Sequence, residues 1–178
     1  MERENRITGV FGIKGCGKTS LCKILTLRND KPAAIIDYCG EYAFPIVKTV
    51  AGFLKYFKTE PRLSIRLVSH SDIERVLGIL SRLERVLVVC DEVDAYASPH
   101  YIPEGLAFIA RYGRHRSIDL IYASRRPAEV PRLLTSQSDD LFAFLIREQR
   151  DIAYLSEFTT TDLALLRNLS PLHYRKIL

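Results

Sequence analysis

The residues whose types and spacing best suit chemistry form one stretch, Gly12-Ile13-Lys14-Gly15-Cys16-Gly17-Lys18-Thr19. It fits G-x-x-x-x-G-K-[ST] at every fixed position, the pattern of a loop that cradles a polyphosphate. Its glycines leave the backbone free to bend close to the phosphates. Successive N–H groups then make an anion nest, and the helix that follows adds its positive end. Lys18 can reach the β- and γ-phosphates, and the Thr19 hydroxyl can ligate Mg²⁺. The candidate nucleotide-binding set here is Gly12, Lys14, Gly15, Cys16, Gly17, Lys18, Thr19 and Ser20.

A second constellation is Asp91-Glu92, which closes the most apolar run of the chain, Val86-Leu87-Val88-Val89-Cys90. This is a Walker B arrangement. Asp91 can hold Mg²⁺ through water, and Glu92 suits orienting and deprotonating an attacking water. A strand ending in a solvated acidic turn is the bland alternative, weakened by the phosphate loop in the same chain. Asp37, in Asp37-Tyr38-Cys39-Gly40-Glu41-Tyr42, can orient that water or Glu92, or simply end a strand. Arg111, Arg114 and Arg116 lie between the acidic strand and the next one. They suit either a trans-acting arginine on the γ-phosphate or a basic helix end favoured by the macrodipole. Ser124 and Arg125, at the end of that next strand, are placed to sense a γ-phosphate. Arg126 can instead face DNA or a neighbouring copy.

These groups need a frame that brings them to one edge. Ile7–Phe11 before the loop is β-prone, and Leu21, Ile24 and Leu25 after it have helical spacing. Further strands are expected at Ala33–Ile36, Leu63–Val68, Arg85–Cys90, Ile118–Ala123 and Leu141–Ile146, with a last edge strand at His173–Leu178. Helices are expected near Thr49–Phe57, from a capping box at Ser71–Glu74, at Pro103–Tyr112, from Pro127, at Gln149–Glu157 and at Thr161–Leu169. The fully apolar run before Asp91 reads as a central parallel strand. Such alternation means a layered α/β sheet, with ligands at the carboxyl ends of its strands.

The chain has 178 residues, which favours one domain over 1–178, and at 47% hydrophobic it can bury an ordinary core. The formal charge of +5 and pI of about 9.1 suit an anionic partner. Cys16, Cys22, Cys39 and Cys90 lack metal or C-x-x-C spacing and read as reduced, small, buried residues of an intracellular, cytoplasmic protein. The charged N-terminus Met1–Arg6 has no apolar h-region, and no run reaches membrane-spanning length. The four scattered histidines read as surface or cap residues.

Taken in order, these motifs resemble those of the HerA/FtsK superfamily of P-loop ATPases. The resemblance rests on the phosphate loop, Ile36–Tyr42, Val-Val-Cys-Asp-Glu, and Gly113-Arg114-His115-Arg116 leading into Ala123-Ser124-Arg125-Arg126-Pro127. It implies a three-layer α/β/α RecA-like core with an additional strand and a mostly parallel sheet. It implies ATP and Mg²⁺ as ligands, a homo-oligomeric ring (pentamer or hexamer), and translocation of double-stranded DNA. By the same match Arg114 is the expected finger and Arg116 the next candidate. Arg125 stands where family members carry a sensor glutamine; arginine can also donate to a phosphate.

A core this short is most similar to the genome-packaging ATPases of tailless, membrane-containing icosahedral viruses, with capsid or membrane proteins as further partners. A cellular or plasmid HerA-like DNA-processing ATPase is the near alternative. A small-molecule kinase would need an acceptor site and a lid, and a switch NTPase a base-reading motif; no Asn-Lys-x-Asp is present. A scaffold that keeps the pocket only for assembly is opposed by the complete acidic pair. Ser98–Ile102 and Arg125–Arg132 are the candidate DNA-facing loops.

Overall fold

The computed structural model describes residues 5–67 and 69–178. Met1–Glu4 of the charged N-terminal stretch and Val68, the last residue of one expected strand, lie outside them. Eight strands form one sheet: β1 (Ile7–Phe11), β2 (Ala33–Ile36), β3 (Ile46–Val47), β4 (Arg62–Ile65), β5 (Leu87–Cys90), β6 (Asp119–Ser124), β7 (Asp140–Ala143) and β8 (Arg175–Lys176). Their spatial order is β3-β4-β2-β5-β6-β1-β7-β8. Every neighbouring pair is parallel except β7–β8.

The helices are α1 (Lys18–Arg28), α2 (Val50–Tyr56), α3 (His70–Leu80), α4 (Glu104–Tyr112), α5 (Arg132–Ser136) and α6 (Gln149–Ser156). Alternation along the central strands sorts the core into two clusters, as a two-faced sheet requires. Phe11, Ile36, Val88, Cys90 and Tyr122 face one side with residues of α2, α3, α4 and α6. Val10, Ile35, Val89 and Ala123 face the other, against Leu21 and Cys22 of α1 and against Tyr42. The result is a three-layer α/β/α sandwich.

The feature that matters for the site is β6, inserted between the loop-bearing β1 and the acidic β5. Register aligns Phe11 with Ser124, Cys90 with Tyr122 and Ile36 with Cys90. The residues just past these ends therefore share one edge of the sheet. The β1–β6 contact is close: a Cβ on Gly9 would lie 2.6 Å from Tyr122 Oη.

Several expected boundaries shift. The strand begun at Leu63 starts at Arg62 and ends at Ile65. Helix α3 starts at His70 with Ser69 as its N-cap, before the expected box; the Ser69 hydroxyl bonds Ser71 Oγ at 2.6 Å instead of the helix backbone. The helix expected over 161–169 is a 3₁₀ turn, Ala164–Asn168. Pro127 opens another 3₁₀ turn, Pro127–Glu129, and Pro131 stands as the N-cap of the separate α5. Cys39 is exposed, unlike the other three cysteines. Among the described residues, no helix is long and apolar enough to cross a membrane.

Candidate nucleotide site

The phosphate loop spans the gap between β1 and α1 and is fastened on both sides. Gly12 N–H donates to Ser124 O at 3.3 Å, and Ile13 N–H to Leu145 O at 3.0 Å. Gly12 has φ of 150°, and a Cβ there would lie 2.7 Å from both Cys16 Sγ and Phe144 Cβ. At Gly15, with φ of 77°, no described atom beyond its immediate chain neighbours lies within 4 Å of the same position. That space is what an approaching phosphate needs. Gly17 caps α1 without a side-chain acceptor, and no acidic residue occupies the first turn. The positive end of α1 is therefore left for an anion.

Lys18 is only 5% exposed. Its Nζ lies 3.3 Å from Ile13 O and 3.9 Å from Glu92 Oε1. Cys16 is buried, Thr19 half-buried, and Lys14 and Ser20 are exposed.

Asp91, 1% exposed, follows β5, and neither of its buried carboxylate oxygens has a hydrogen-bond partner among the described residues. Burial, then the Glu92 and Glu41 carboxylates, push its pKa up to about 7, against the pull of Lys18. Buried polar groups are normally partnered. A buried, orphaned carboxylate in the field of the phosphate-loop lysine fits a hydrated divalent cation, with the Thr19 hydroxyl as a second hard oxygen donor.

Glu92 takes a left-handed backbone, φ 47° and ψ 53°, uncommon for a side-chain-bearing residue and typical of constrained functional positions. Both carboxylate oxygens face cations: Oε1 faces Lys18, and Oε2 accepts from Arg125 Nε at 2.9 Å. Arg125 follows β6 and is half exposed. The hydrogen bond to Glu92 raises its pKa further.

Other candidates are engaged locally. The Asp37 carboxylate accepts from Glu41 N at 2.7 Å, Tyr42 N at 3.2 Å and Arg66 Nε at 2.9 Å. It shapes the turn after β2. The Ser124 hydroxyl closes the turn after β6, donating to Arg126 O at 3.2 Å and accepting from Arg126 N at 3.0 Å. Arg126 pairs with buried Asp151 at 2.7 Å and so fastens that turn to α6.

Arg111 lies in the last turn of α4, and Arg114 and Arg116 occupy the 3₁₀ turn Gly113–Arg116 ahead of β6. They stand at the opposite end of the sheet from Ser124. Six strand residues at ~3.3 Å each separate the two ends by roughly 20 Å. Arg116 donates to Arg82 O at 3.0 Å, whereas Arg114 is exposed. Arg114 and Arg116 therefore stand far from their own chain's phosphate loop.

Sequence reasoning missed the segment that flanks the loop on its other side. Leu172 N–H donates to Cys16 O at 3.0 Å, and a Cβ on Gly17 would lie 3.0 Å from Leu172 Cδ2 and 3.1 Å from Phe144 Cε1. No periodicity marks this contact, and nothing in the local sequence points to it.

An additional strand between a phosphate-loop strand and an acidic strand, in a parallel sheet, defines the additional-strand P-loop NTPase fold, and the chain has it. No family model matches the chain, and no curated protein matches it. Solved structures do. The genome-packaging NTPase B204 of Sulfolobus turreted icosahedral virus 2, in complex with ATP-gammaS, superposes with a TM-score of 0.77 at 14% identity, over 99% of this chain and 94% of that one. B204, the DNA-packaging ATPase of Sulfolobus turreted icosahedral virus, gives 0.74 at 15% identity, over 99% and 98%. The pCW3 conjugation coupling protein TcpA gives 0.57 at 15% identity, over 83% of this chain and 51% of that one. At these identities the likeness shows the fold, and it is the fold that the motif resemblance implies.

Proposed function

We propose that the chain is an ATP-hydrolysing motor that moves double-stranded DNA, a viral genome-packaging ATPase working as a homo-oligomeric ring. The observation that carries this is the junction of Lys18, Glu92 and Arg125, beside the unpartnered Asp91, at the rim of the phosphate loop. The motif resemblance and the B204 fold similarity supply the DNA-packaging part.

In this reading Lys18 and the loop N–H groups bind the β- and γ-phosphates. Thr19 and Asp91 would hold Mg²⁺, which when bound neutralises charge on those phosphates. Glu92 takes the proton from the attacking water. In the present arrangement its two oxygens face Lys18 and Arg125. Both cations can pair with a terminal phosphate instead, so its arrival releases Glu92 to act as the base while Arg125 turns to the γ-phosphate. ADP, lacking that group, leaves Glu92 held. Arg114 of an adjoining copy completes the charge balance, with Arg116 as the second candidate. DNA is gripped through its phosphates and not read by sequence. Such a motor works in the host cytoplasm or at the virion, beside capsid or membrane proteins.

The test is ATP hydrolysis against protein concentration, with and without duplex DNA. Specific activity should rise with concentration and rise again with DNA. Turnover that is independent of both would remove the ring and the motor together.

A further inference from the structure

We propose that the segment Ser170–Tyr174 is the subsite for the base and ribose of the bound nucleotide, a reading that rests on the nucleotide site above. The strand order sets the direction. Glu92 and Arg125, the groups suited to the terminal phosphate, follow β5 and β6 on one flank of the loop. A nucleotide laid across the loop with its γ-phosphate toward them must run its nucleoside the other way, toward β7 and β8. Ser170–Tyr174 leads into β8 on that flank.

This segment is built against the loop. The Leu172 N–H donates to Cys16 O at 3.0 Å, and the Leu172 side chain lies beside Gly17, the N-cap of α1. Leu172 is held at φ 66°, a left-handed conformation that a γ-branched residue adopts at a cost. His173 N–H closes the turn on Ser170 O at 3.1 Å. Tyr174 packs its ring on Phe144 at 5.2 Å and edge-on to Phe142 at 5.4 Å. These contacts fix the segment, yet Leu172 is 68% exposed and Tyr174 45% exposed.

An isoleucine deeper in the same tail, Ile177, is buried. The tail reaches the core through position 177, and the solvent-facing surfaces of Leu172 and Tyr174 remain open to a ligand. A strained apolar residue and a half-exposed aromatic, both pinned at the edge of a phosphate cradle, suit apolar and stacking contact with a flat heterocycle. Aromatic stacking of this sort tolerates any base.

Inorganic tripolyphosphate, which carries the phosphates without the nucleoside, separates this subsite from the loop. Binding of Mg²⁺-ATP and of Mg²⁺-tripolyphosphate would be measured by calorimetry on the full chain and on Leu172→Gly, Tyr174→Ala and Tyr174→Phe. Leu172→Gly keeps the left-handed backbone without strain, and thermal melts report the fold of each variant. The glycine and alanine variants should weaken ATP about ten-fold and leave tripolyphosphate within about two-fold, with Tyr174→Phe unchanged. Equal loss of both ligands would mean that the segment merely props the loop, and would overturn the proposal. So would unchanged ATP binding in both truncations. Wild-type chain that binds tripolyphosphate as tightly as ATP would remove the base subsite and leave the phosphate site standing. Binding of neither ligand would end the parent reading and this one with it.

Discussion

Arg125 Nε donates to Glu92 Oε2 at 2.9 Å across the ends of two adjacent parallel strands, β6 and β5. In the proposed reading this contact pairs the base with a phosphate-seeking cation until a triphosphate competes. Arg125→Gln should cut turnover about ten-fold or more, as for loss of one preorganised donor, and weaken ATP but not ADP. Paired titrations of the two nucleotides check this; an equal loss of both would deny Arg125 any contact with the terminal phosphate.

Glu92→Gln keeps the shape of the side chain and removes its basicity. ATP binding should persist while turnover falls about 10²- to 10⁴-fold. Substantial remaining hydrolysis would take Glu92 out of the base role.

Arg114→Ala should bind ATP and fail to hydrolyse it, with a loss on the order of 10³-fold or more. Because Arg114 sits at the far end of its own sheet, the defect is expected in trans. Mixing Arg114→Ala with Lys18→Ala chains should restore activity at mixed junctions; absence of any rescue at high protein concentration counts against the finger.

Asp91 is buried with both oxygens unpartnered, and burying a lone carboxylate is costly. Asp91→Asn should raise the melting temperature of the nucleotide-free chain at pH 8 and abolish the extra rise that Mg²⁺ gives with ATP. A fall in melting temperature without ligand would show the carboxylate to be partnered within the fold.

Far from the site, Asp140 is bonded by Arg6 and, at 2.6 Å, by Lys176. Burial would raise its pKa, but these two partners outweigh it and hold the carboxyl below its ordinary value. The folded form therefore binds the proton less readily than the unfolded chain. Its stabilisation is full above the unfolded value of about 3.9 and fades as pH falls through the lower folded one. The melting-temperature gap between wild type and Asp140→Asn should hold from pH 7 to about 5 and shrink below about 4. A gap that is constant with pH would show a packing effect instead.

The parts of the molecule that could be read from residues alone have local causes. The phosphate loop is contiguous, and Val86–Cys90 is apolar throughout because β5 is covered on both faces, so each announced its place. The edge strand β3 is two residues long, too short for any period to register. Asp37 and Arg66 are 29 residues apart, and their bond exists only because β4 lies beside β2. The Arg125–Glu92 pair likewise follows from strand order. Leu172 gave no signal because its partner is a backbone carbonyl, which any residue could offer.

The loop is tied at Gly12 to the end of β6 and at Ile13 to the residue just past Ala143 and Phe144. A receptacle fastened on both sides is held in shape by the fold itself, so little ordering entropy is lost when an anion settles in it. In the proposed motor the mechanical stroke would then begin in rotatable side chains such as Arg125 and Glu92, with the glycine-lined cradle serving as the fixed anvil against which they move.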